Sequence, residues 1–324
     1  MSVSANNKKI FPNVPSHQIR QIVRSRTFQI VSGILGTAGS LYFLIRLAPL
    51  RTLTFPPTNL FILLAFVTVI QLFARAERLK RICQIVGNKI SIRQSFRIHA
   101  IGDFFGAITP SGLGGDVSRG SALASLPGIT ASHAITSLAT DGFLRLVTLG
   151  LLVVLSIGVI LLQNPAQIFP SSLVTTLSIY LFGAILFLVI IILIVRHKKI
   201  NTNWRLLLSR DLFFLALLYH IIRIGVLPLM VLLIAPEKMT AMVFVSSFVL
   251  NYGLTLLPIP SGGGSIEVAF MALMGPLLGK PEAAVAMVWW RFTNYYFYVL
   301  NGVVTVLWGS LRMASRLKEP AITP

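Results

Sequence analysis

The sequence predicts an all-α integral membrane protein with about six transmembrane helices and two re-entrant helical hairpins in inverted-topology repeats. Three observations lead to this fold class: long apolar runs, an uneven distribution of cations between them, and a Gly- and Pro-rich motif that occurs twice. The composition agrees, since 55% of the 324 residues are hydrophobic and only 11% are charged. The formal net charge is +19, but soluble nucleic-acid-binding proteins are much richer in charged residues. We therefore expect no nucleic-acid partner.

Six apolar runs approach or exceed the ~20 residues that an α-helix needs to cross a membrane. They are Thr27–Ile45, Thr58–Ala74, Gly142–Leu162, Leu173–Val195, Leu212–Ala235 and Ala283–Leu311. None shows the apolar–polar alternation of a membrane β-strand. We expect one membrane domain over residues 27–312, between a basic cytoplasmic tail at 1–26 and a second cytoplasmic tail at 313–324.

Connecting segments that are rich in cations alternate with segments that are poor in them. The rich ones are the tail before Thr27, Arg75–Arg97, Arg196–Arg210 and the C-terminal tail. The positive-inside rule then predicts a multi-pass protein of a bacterial-type plasma (inner) membrane with both termini in the cytoplasm. The stretch Arg75–Arg81 fits either an amphipathic helix on the anionic inner leaflet or an ordinary solvated loop helix.

Two further apolar regions contain the motif Pro-Ser-Gly-x-Gly and so cannot be simple spans. The motif begins at Pro110 and again at Pro260, 150 residues later, and a carboxylate follows each copy, Asp116 and Glu267. Gly and Pro break a helix, which predicts two re-entrant hairpins. Their backbone positions are Pro110, Gly112, Gly114, Gly115, Pro260, Gly262, Gly263 and Gly264.

The two hairpins are expected to enter the membrane from opposite faces, because three predicted spans separate them. This arrangement gives inverted repeats at about 93–162 and 240–311. Paired, interrupted segments in inverted halves are typical of the central site of a transporter.

Ionisable residues in apolar sequence are the candidate site residues, since each is costly when it faces lipid. Four acids and four cations share this property: Asp103, Asp116, Arg119, Asp141, Arg145, Arg223, Glu267 and Arg291. Their balance predicts pairing. The spacings of Asp116/Arg119 and Asp141/Arg145 place each pair on one helical face, where a structural and a functional role both stay open.

An anion site is predicted at Arg119, because it follows a Gly-rich turn where a helix would begin. Arg291, followed by Tyr295, would bind the same head group from the other side or would pair with Glu267. The predicted substrate-binding residues are Asp116, Arg119, Asp141, Arg145, Arg223, Glu267, Arg291 and Tyr295.

The segments Gly102–Arg119 and Pro260–Glu267, together with Arg291, resemble the transmembrane flippase region of lysylphosphatidylglycerol synthases. The resemblance covers about residues 27–312. It implies a flippase-like protein that moves a lipid, either a phospholipid or a lipid-linked sugar, between leaflets through a cavity formed by the two hairpins. We expect a stand-alone form without the soluble synthase domain, and therefore no aminoacyl transfer.

Two alternative functions stay open. One is an accessory membrane protein of a glycosyltransferase or lipid-modification pathway, and the other is a small-solute or ion transporter. An enzyme is not expected, because the sequence contains no nucleophile–base pair, metal cluster or nucleotide motif. We therefore predict no catalytic residue, no metal and no cofactor. The expected partners are anionic or phosphate-bearing membrane lipids, with a lipid-modifying enzyme or a homodimer also open.

Overall fold

The computed structural model describes residues 37–47, 58–109, 113–162, 209–253 and 264–318, and every regular element in these segments is helical. The α-helices in these segments are α1 (37–47), α2 (Thr58–Ile85), α3 (Ile92–Ala107), α4 (Leu113–Ala124), α5 (Ala131–Leu162), α6 (Arg210–Ile234), α7 (Ala241–Phe248), α8 (Ser265–Leu278), α9 (Lys280–Arg291) and α10 (Phe297–Lys318). A 3-10 turn occupies Pro236–Lys238, and π-helical segments occupy Val249–Gly253 and Phe292–Tyr296.

Three of the described helices are long and apolar enough to cross a membrane: α2, the Ala131–Leu155 part of α5, and α6. These helices confirm the prediction of a helical, multi-pass membrane protein. Two of the predicted runs cannot be compared, because Leu173–Val195 lies outside the described residues and Thr27–Ile45 is described only from residue 37.

The last predicted run, Ala283–Leu311, is not a uniform α-helix. The π-helical segment Phe292–Tyr296 separates α9 from α10. The hydroxyl of Thr293 donates to the carbonyls of Trp289 (3.0 Å) and Trp290 (3.1 Å), and so competes for acceptors of the helix ladder. A wider turn of this kind inside an α-helix frequently lies at a functional site.

Helix α2 continues well beyond the predicted end at Ala74. The stretch Arg75–Arg81 belongs to this same helix, and Arg75 and Arg78 are buried. Both expectations for this stretch, a helix on the leaflet and a solvated loop helix, are therefore wrong for these two arginines. Arg75, Arg78, Leu79 and Ile82 follow the spacing of one helical face, and that face points into the protein.

Helices α3 and α4 pack as an antiparallel pair in the region where the first hairpin was predicted. Ser91 and Gln94 form a capping box at the start of α3. Close approach of the two helices requires glycine, because a Cβ on Gly115 would lie 2.8 Å from the carbonyl oxygen of Gly102. Of the predicted backbone positions, Gly114 and Gly115 lie in α4, whereas Pro110 and Gly112 fall outside the described residues.

The region where the second hairpin was predicted contains α7 and α8. Gly264 precedes α8 with a φ of 90°, and a Cβ there would lie 2.3 Å from Cδ2 of Phe43 in α1. Glycine is therefore required both for the left-handed conformation and for contact with α1. The positions Pro260, Gly262 and Gly263 lie outside the described residues.

Helix α6 contains a proline whose missing hydrogen bond is replaced from α7. Pro228 has no N–H, so the carbonyl of Ile224 loses its helical donor. The hydroxyl of Ser247 donates to this carbonyl at 2.6 Å, and the side chain of Asn251 donates to the carbonyl of Arg223 at 3.3 Å. These contacts hold α7 against the middle of α6.

The two hairpin regions pack against opposite ends of α2. Leu79 and Cys83, near its C-terminal end, share a buried apolar cluster with residues of α3, α4 and α5. Leu60 and Leu64, near its N-terminal end, share another with residues of α8, α9 and the second half of α6. Helix α10 runs along α3, where Gly302 lies so close that a Cβ would be 2.5 Å from the carbonyl oxygen of Ala100.

Candidate functional site

The arginines of α2 begin a buried network of charges. Arg75 forms a bidentate pair with Asp103 of α3, at 2.6 Å and 3.0 Å. His99 supports this pair, since its Nε2 donates to the carbonyl of Arg75 and its Nδ1 lies 3.4 Å from the guanidinium. Bidentate pairing fixes the orientation of the guanidinium as well as its position.

Asp141 connects α2 with the first part of α5. Its Oδ1 accepts from Nε of Arg78 at 2.7 Å, and both side chains are only 1% exposed. Its Oδ2 lies 3.1 Å from Nε of Arg145, one turn further along α5. The predicted pair Asp141/Arg145 is therefore present, and it is joined to Arg78, for which the sequence analysis expected either a leaflet surface or a solvated loop helix.

The predicted pair Asp116/Arg119 lies on α4 beside the same network. Nη1 of Arg119 is 3.0 Å from Oδ1 of Asp116, and Nη2 of Arg145 is 3.7 Å from the same oxygen. Arg119 crosses Gly102 of α3, where a Cβ would lie 2.3 Å from its Nε. Asp116 is the exposed end of the network, with 65% of its side chain accessible.

Three guanidiniums converge on the ring of Tyr219 in α6. The ring centroid lies 5.7 Å from Arg75, 5.5 Å from Arg78 and 6.0 Å from Arg223. The Tyr219 hydroxyl also accepts from Nη1 of Arg223 at 2.7 Å. Cations are attracted to the faces of aromatic rings, so this tyrosine stabilises several positive charges at one place.

Neighbouring polar groups complete the network. His220 donates to the carbonyl of Arg145 at 3.1 Å and accepts from the hydroxyl of Tyr252 at 2.6 Å. The ring of Tyr252 also lies 5.7 Å from the guanidinium of Arg223. We call the whole set the arginine-rich cluster; its charged members are Arg75, Arg78, Asp103, Asp116, Arg119, Asp141, Arg145 and Arg223.

The remaining predicted site residues form a second group, the Glu267 cluster, which consists of Ser40, Glu267, Arg291, Tyr295 and Tyr296. Nε of Arg291 lies 2.6 Å from Oε1 of Glu267, and its Nη2 donates to the hydroxyl of Ser40 at 3.0 Å. Ser40 also donates to Glu267. The ring of Tyr295 lies 4.5 Å from the Arg291 guanidinium.

The structure thus separates residues that the sequence analysis assigned to one head group. Arg119 lies in the arginine-rich cluster, whereas Arg291 pairs with the buried carboxylate of Glu267. Of the two expectations for Arg291, pairing with Glu267 is the one found. The Glu267 cluster has balanced charge and joins α1, α8 and α9 near the end of α2 where Leu60 lies.

The arginine-rich cluster lies at a similar depth in three long helices. Arg81 of α2 pairs with Asp211 of α6 at 2.6 Å, so the end of α2 lies beside the start of α6. Measured from the C-terminal end of α2 and from the first residues of α5 and α6, a rise of 1.5 Å per residue places Arg78, Asp141 and Tyr219 roughly 10–15 Å along their helices. Arg75, Arg78 and Asp141 are therefore buried about two to three helical turns from the ends of these helices.

The predicted balance of buried charges is incorrect, because Arg75 and Arg78 join the interior. Among the described residues, the arginine-rich cluster holds five guanidiniums and three carboxylates. Ion pairs join its carboxylates to four of the guanidiniums, those of Arg75, Arg78, Arg119 and Arg145. Arg223 instead contacts the hydroxyl and ring of Tyr219. The cluster therefore carries a formal excess of two positive charges.

A comparison with protein families identifies the chain. The family described as "Lysylphosphatidylglycerol synthase TM region" matches residues 29–302. The chain belongs to this family. No curated protein and no solved structure gave a match.

In this member of the lysylphosphatidylglycerol synthase TM family, the matched residues include both the arginine-rich cluster and the Glu267 cluster. The match includes the segments that carry the resemblance, Gly102–Arg119 and Pro260–Glu267, as well as Arg291. The family places the protein in the context of membrane lipids.

Several residues of these clusters were missed by the sequence analysis. Arg75 and Arg78 carried a usable signal, because they share a helical face with Leu79 and Ile82 and should therefore be buried with them. Tyr219 and Ser40 carried none. Their roles depend on contacts with residues that are distant in sequence, such as Arg78 and Arg291.

Proposed function

We propose that this member of the lysylphosphatidylglycerol synthase TM family is a flippase-like protein that moves a lipid with an anionic, phosphate-bearing head group between leaflets. The observation that supports this most strongly is the positive excess of the arginine-rich cluster within an apolar helical bundle. Guanidiniums bind phosphate through paired N–H groups, and a charged head group can cross a bilayer only where such groups replace its hydration.

The placement of the hairpin regions supports the same proposal. The α3/α4 and α7/α8 regions each end in a short helix with a carboxylate in its first turn, Asp116 in α4 and Glu267 in α8. Each of these carboxylates pairs with an arginine, and the two regions pack at opposite ends of α2. We therefore infer two re-entrant hairpins in inverted repeats, with both termini in the cytoplasm of a bacterial-type inner membrane.

The test is lipid movement in proteoliposomes that contain acyl-labelled fluorescent phosphatidylglycerol and phosphatidic acid. Dithionite added outside measures how much labelled lipid leaves the inner leaflet. We expect wild-type protein to move at least one of these lipids faster than protein-free liposomes. Arg119→Ala should lower the rate, because it removes a cluster guanidinium. Arg93→Ala is the matched control, since Arg93 is an exposed arginine at the start of α3.

Two results would contradict the proposal. One is the absence of movement for every anionic lipid tested, with folded protein confirmed by gel filtration. The other is an equal rate for wild type and Arg119→Ala. Co-purification of a glycosyltransferase without lipid movement would instead favour the accessory role.

A further inference from the structure

The positions of the acidic residues decide whether other carboxylates offset the positive charge excess of the arginine-rich cluster. The sequence contains nine Asp and Glu residues, and eight of them lie in the described segments, Glu319 being the exception. Three belong to the cluster, and Glu267 pairs with Arg291. Glu77 and Asp211 both pair with Arg81 at the end of α2.

The other two acids of the described segments lie away from the cluster. Glu237 follows the far end of α6, 14 residues beyond Arg223 and hence roughly 20 Å along the helix axis. Glu282 lies in the first turn of α9, where a Cβ on Gly279 would be 2.9 Å from its Oε2. Among the described residues, the carboxylates outside the cluster therefore do not neutralise it.

Buried nitrogen atoms of the cluster also have unused hydrogen-bonding capacity. Within the described part of the chain, Nη1 of Arg78 and Nε of Arg223 are both inaccessible and have no hydrogen-bond partner. The guanidinium of Arg78 is almost fully buried, and both arginines lie within 6.0 Å of the Tyr219 ring centroid. Donors that are buried without acceptors are costly, and anionic oxygens are the strongest acceptors they could meet.

We propose, on the basis of the function given above, that the lipid carried at this cluster bears a dianionic phosphate group, either a phosphomonoester or a diphosphate. Two negative charges match the excess of two, whereas the phosphodiester of an ordinary phospholipid supplies one. A phosphomonoester carries a charge of about −1.5 to −2 at pH 7. Several guanidiniums around one ring can hold its oxygens through separate N–H groups.

The experiment compares two lipids that share one labelled acyl chain and differ in the phosphate. Acyl-labelled phosphatidic acid is a phosphomonoester and phosphatidylglycerol a phosphodiester. In wild-type proteoliposomes we expect the first to move about tenfold faster, since one extra charge in a poorly screened site is worth at least this ratio. Equal rates for the two lipids would overturn the dianion proposal but leave lipid translocation intact. No movement of either lipid would overturn the proposed function instead.

Substitutions of Arg223 test whether the cluster sets this preference. Arg223→Gln lowers the excess to one charge, so the ratio of the two rates should fall about tenfold, towards equality. Arg223→Lys keeps the charge and should keep most of the preference. Arg93→Gln removes an exposed charge and should leave the ratio unchanged. A preference that survives in folded Arg223→Gln, or that is lost equally in Arg223→Lys, contradicts a role for charge number.

A competition experiment separates a lipid from a free anion. Unlabelled polyprenyl diphosphate and inorganic pyrophosphate carry the same group with and without an apolar tail. We expect the lipid to inhibit movement of labelled phosphatidic acid at concentrations about a hundredfold lower, because its tail partitions into the bilayer. Equal inhibition by both would overturn lipid recognition and would favour a soluble phosphate compound as the ligand.

Discussion

At the scale of single residues, the contact between Arg78 and Asp141 is the most deeply buried ion pair of the arginine-rich cluster. The pair joins α2 to α5 through a distance of 2.7 Å, with both side chains 1% exposed. In such a place the attraction between the partners offsets a large desolvation cost, and removal of one partner leaves the other charge uncompensated.

The first prediction is that Asp141→Asn lowers the free energy of unfolding by about 3–5 kcal/mol, because Arg78 and Arg145 both lose their carboxylate. Thermal unfolding in detergent, followed by fluorescence, measures this loss. The double variant Arg78→Met/Asp141→Asn should be more stable than Asp141→Asn alone, since it removes the uncompensated Arg78 charge. If the stability lost in the double variant equals the sum of the losses in Arg78→Met and Asp141→Asn, the two side chains are not coupled.

Gly302 allows a close approach of α10 to α3, and Gly225 provides a matched comparison. A Cβ on Gly302 would lie 2.5 Å from the carbonyl oxygen of Ala100 and 2.6 Å from Cβ of Phe104, whereas a Cβ on Gly225 meets no atom within 4 Å. Both glycines lie inside helices. They therefore differ in their surroundings rather than in secondary structure.

The second prediction follows from this difference. Gly302→Ala should lower the free energy of unfolding by about 1–3 kcal/mol through overpacking. Gly225→Ala should raise it by up to about 1 kcal/mol, because alanine favours the helix. The melting temperatures of Gly302→Ala and Gly225→Ala, measured in the same detergent, test this prediction. A similar change in both variants would mean that α10 and α3 are not in tight contact.

At the scale of elements, α6 depends on α7 where Pro228 interrupts its hydrogen bonding. Ser247 supplies the donor that the carbonyl of Ile224 loses. The interruption lies next to Arg223, whose own carbonyl accepts from Asn251. The same short stretch of α6 therefore presents an arginine to the cluster and is held in place by side chains of α7 and the π-helical segment that follows it.

The third prediction is a double-mutant cycle at this interruption. Ser247→Ala leaves the Ile224 carbonyl without a donor and should cost about 1–3 kcal/mol. In a Pro228→Ala background the cost should be smaller, because residue 228 then donates its own N–H. Ser121→Ala, whose hydroxyl is exposed on α4, is the control and should change little. An equal cost of Ser247→Ala in both backgrounds contradicts this account of the kink.

At the scale of the whole molecule, the proposed two-hairpin topology would place both ends of each hairpin on the same side of the membrane. Lys89 and Ser125 flank the α3/α4 pair, and Glu237 and Lys280 flank the α7/α8 pair. If either region crossed the membrane once, as a single span, its two flanking residues would lie on opposite sides. Accessibility from each side therefore distinguishes the topologies.

The fourth prediction concerns single cysteines placed at these positions. Lys89→Cys and Ser125→Cys should react with a membrane-impermeant maleimide only in inside-out vesicles, and Glu237→Cys and Lys280→Cys only in intact cells. The native Cys83 is buried and should give a low background. Labelling of Glu237→Cys and Lys280→Cys from opposite sides would contradict the second re-entrant hairpin.

Much of the fold follows from hydropathy, because apolar runs such as Leu212–Ala235 can be satisfied in lipid only by a helix, here α6. The pairs Asp116/Arg119 and Asp141/Arg145 were also predictable, since their spacing places them on one helical face. The contact of Ser40 with Arg291 was not, and the burial of Arg78 could be predicted but not its partner Asp141. Which helices lie side by side is decided by packing between distant segments, and hydropathy does not contain that information.

The order in which the pairs are completed has a consequence for biogenesis. Arg75 and Arg78 leave the ribosome before Asp103 and Asp141, so the end of α2 that follows its apolar run is synthesised with two unpaired guanidiniums. A charge that faces lipid without a partner costs at least about 2.5–3.5 kcal/mol at the bilayer centre, so these arginines are buried only together with their partners. Burial of Arg75 therefore waits for α3, and burial of Arg78 waits for α5.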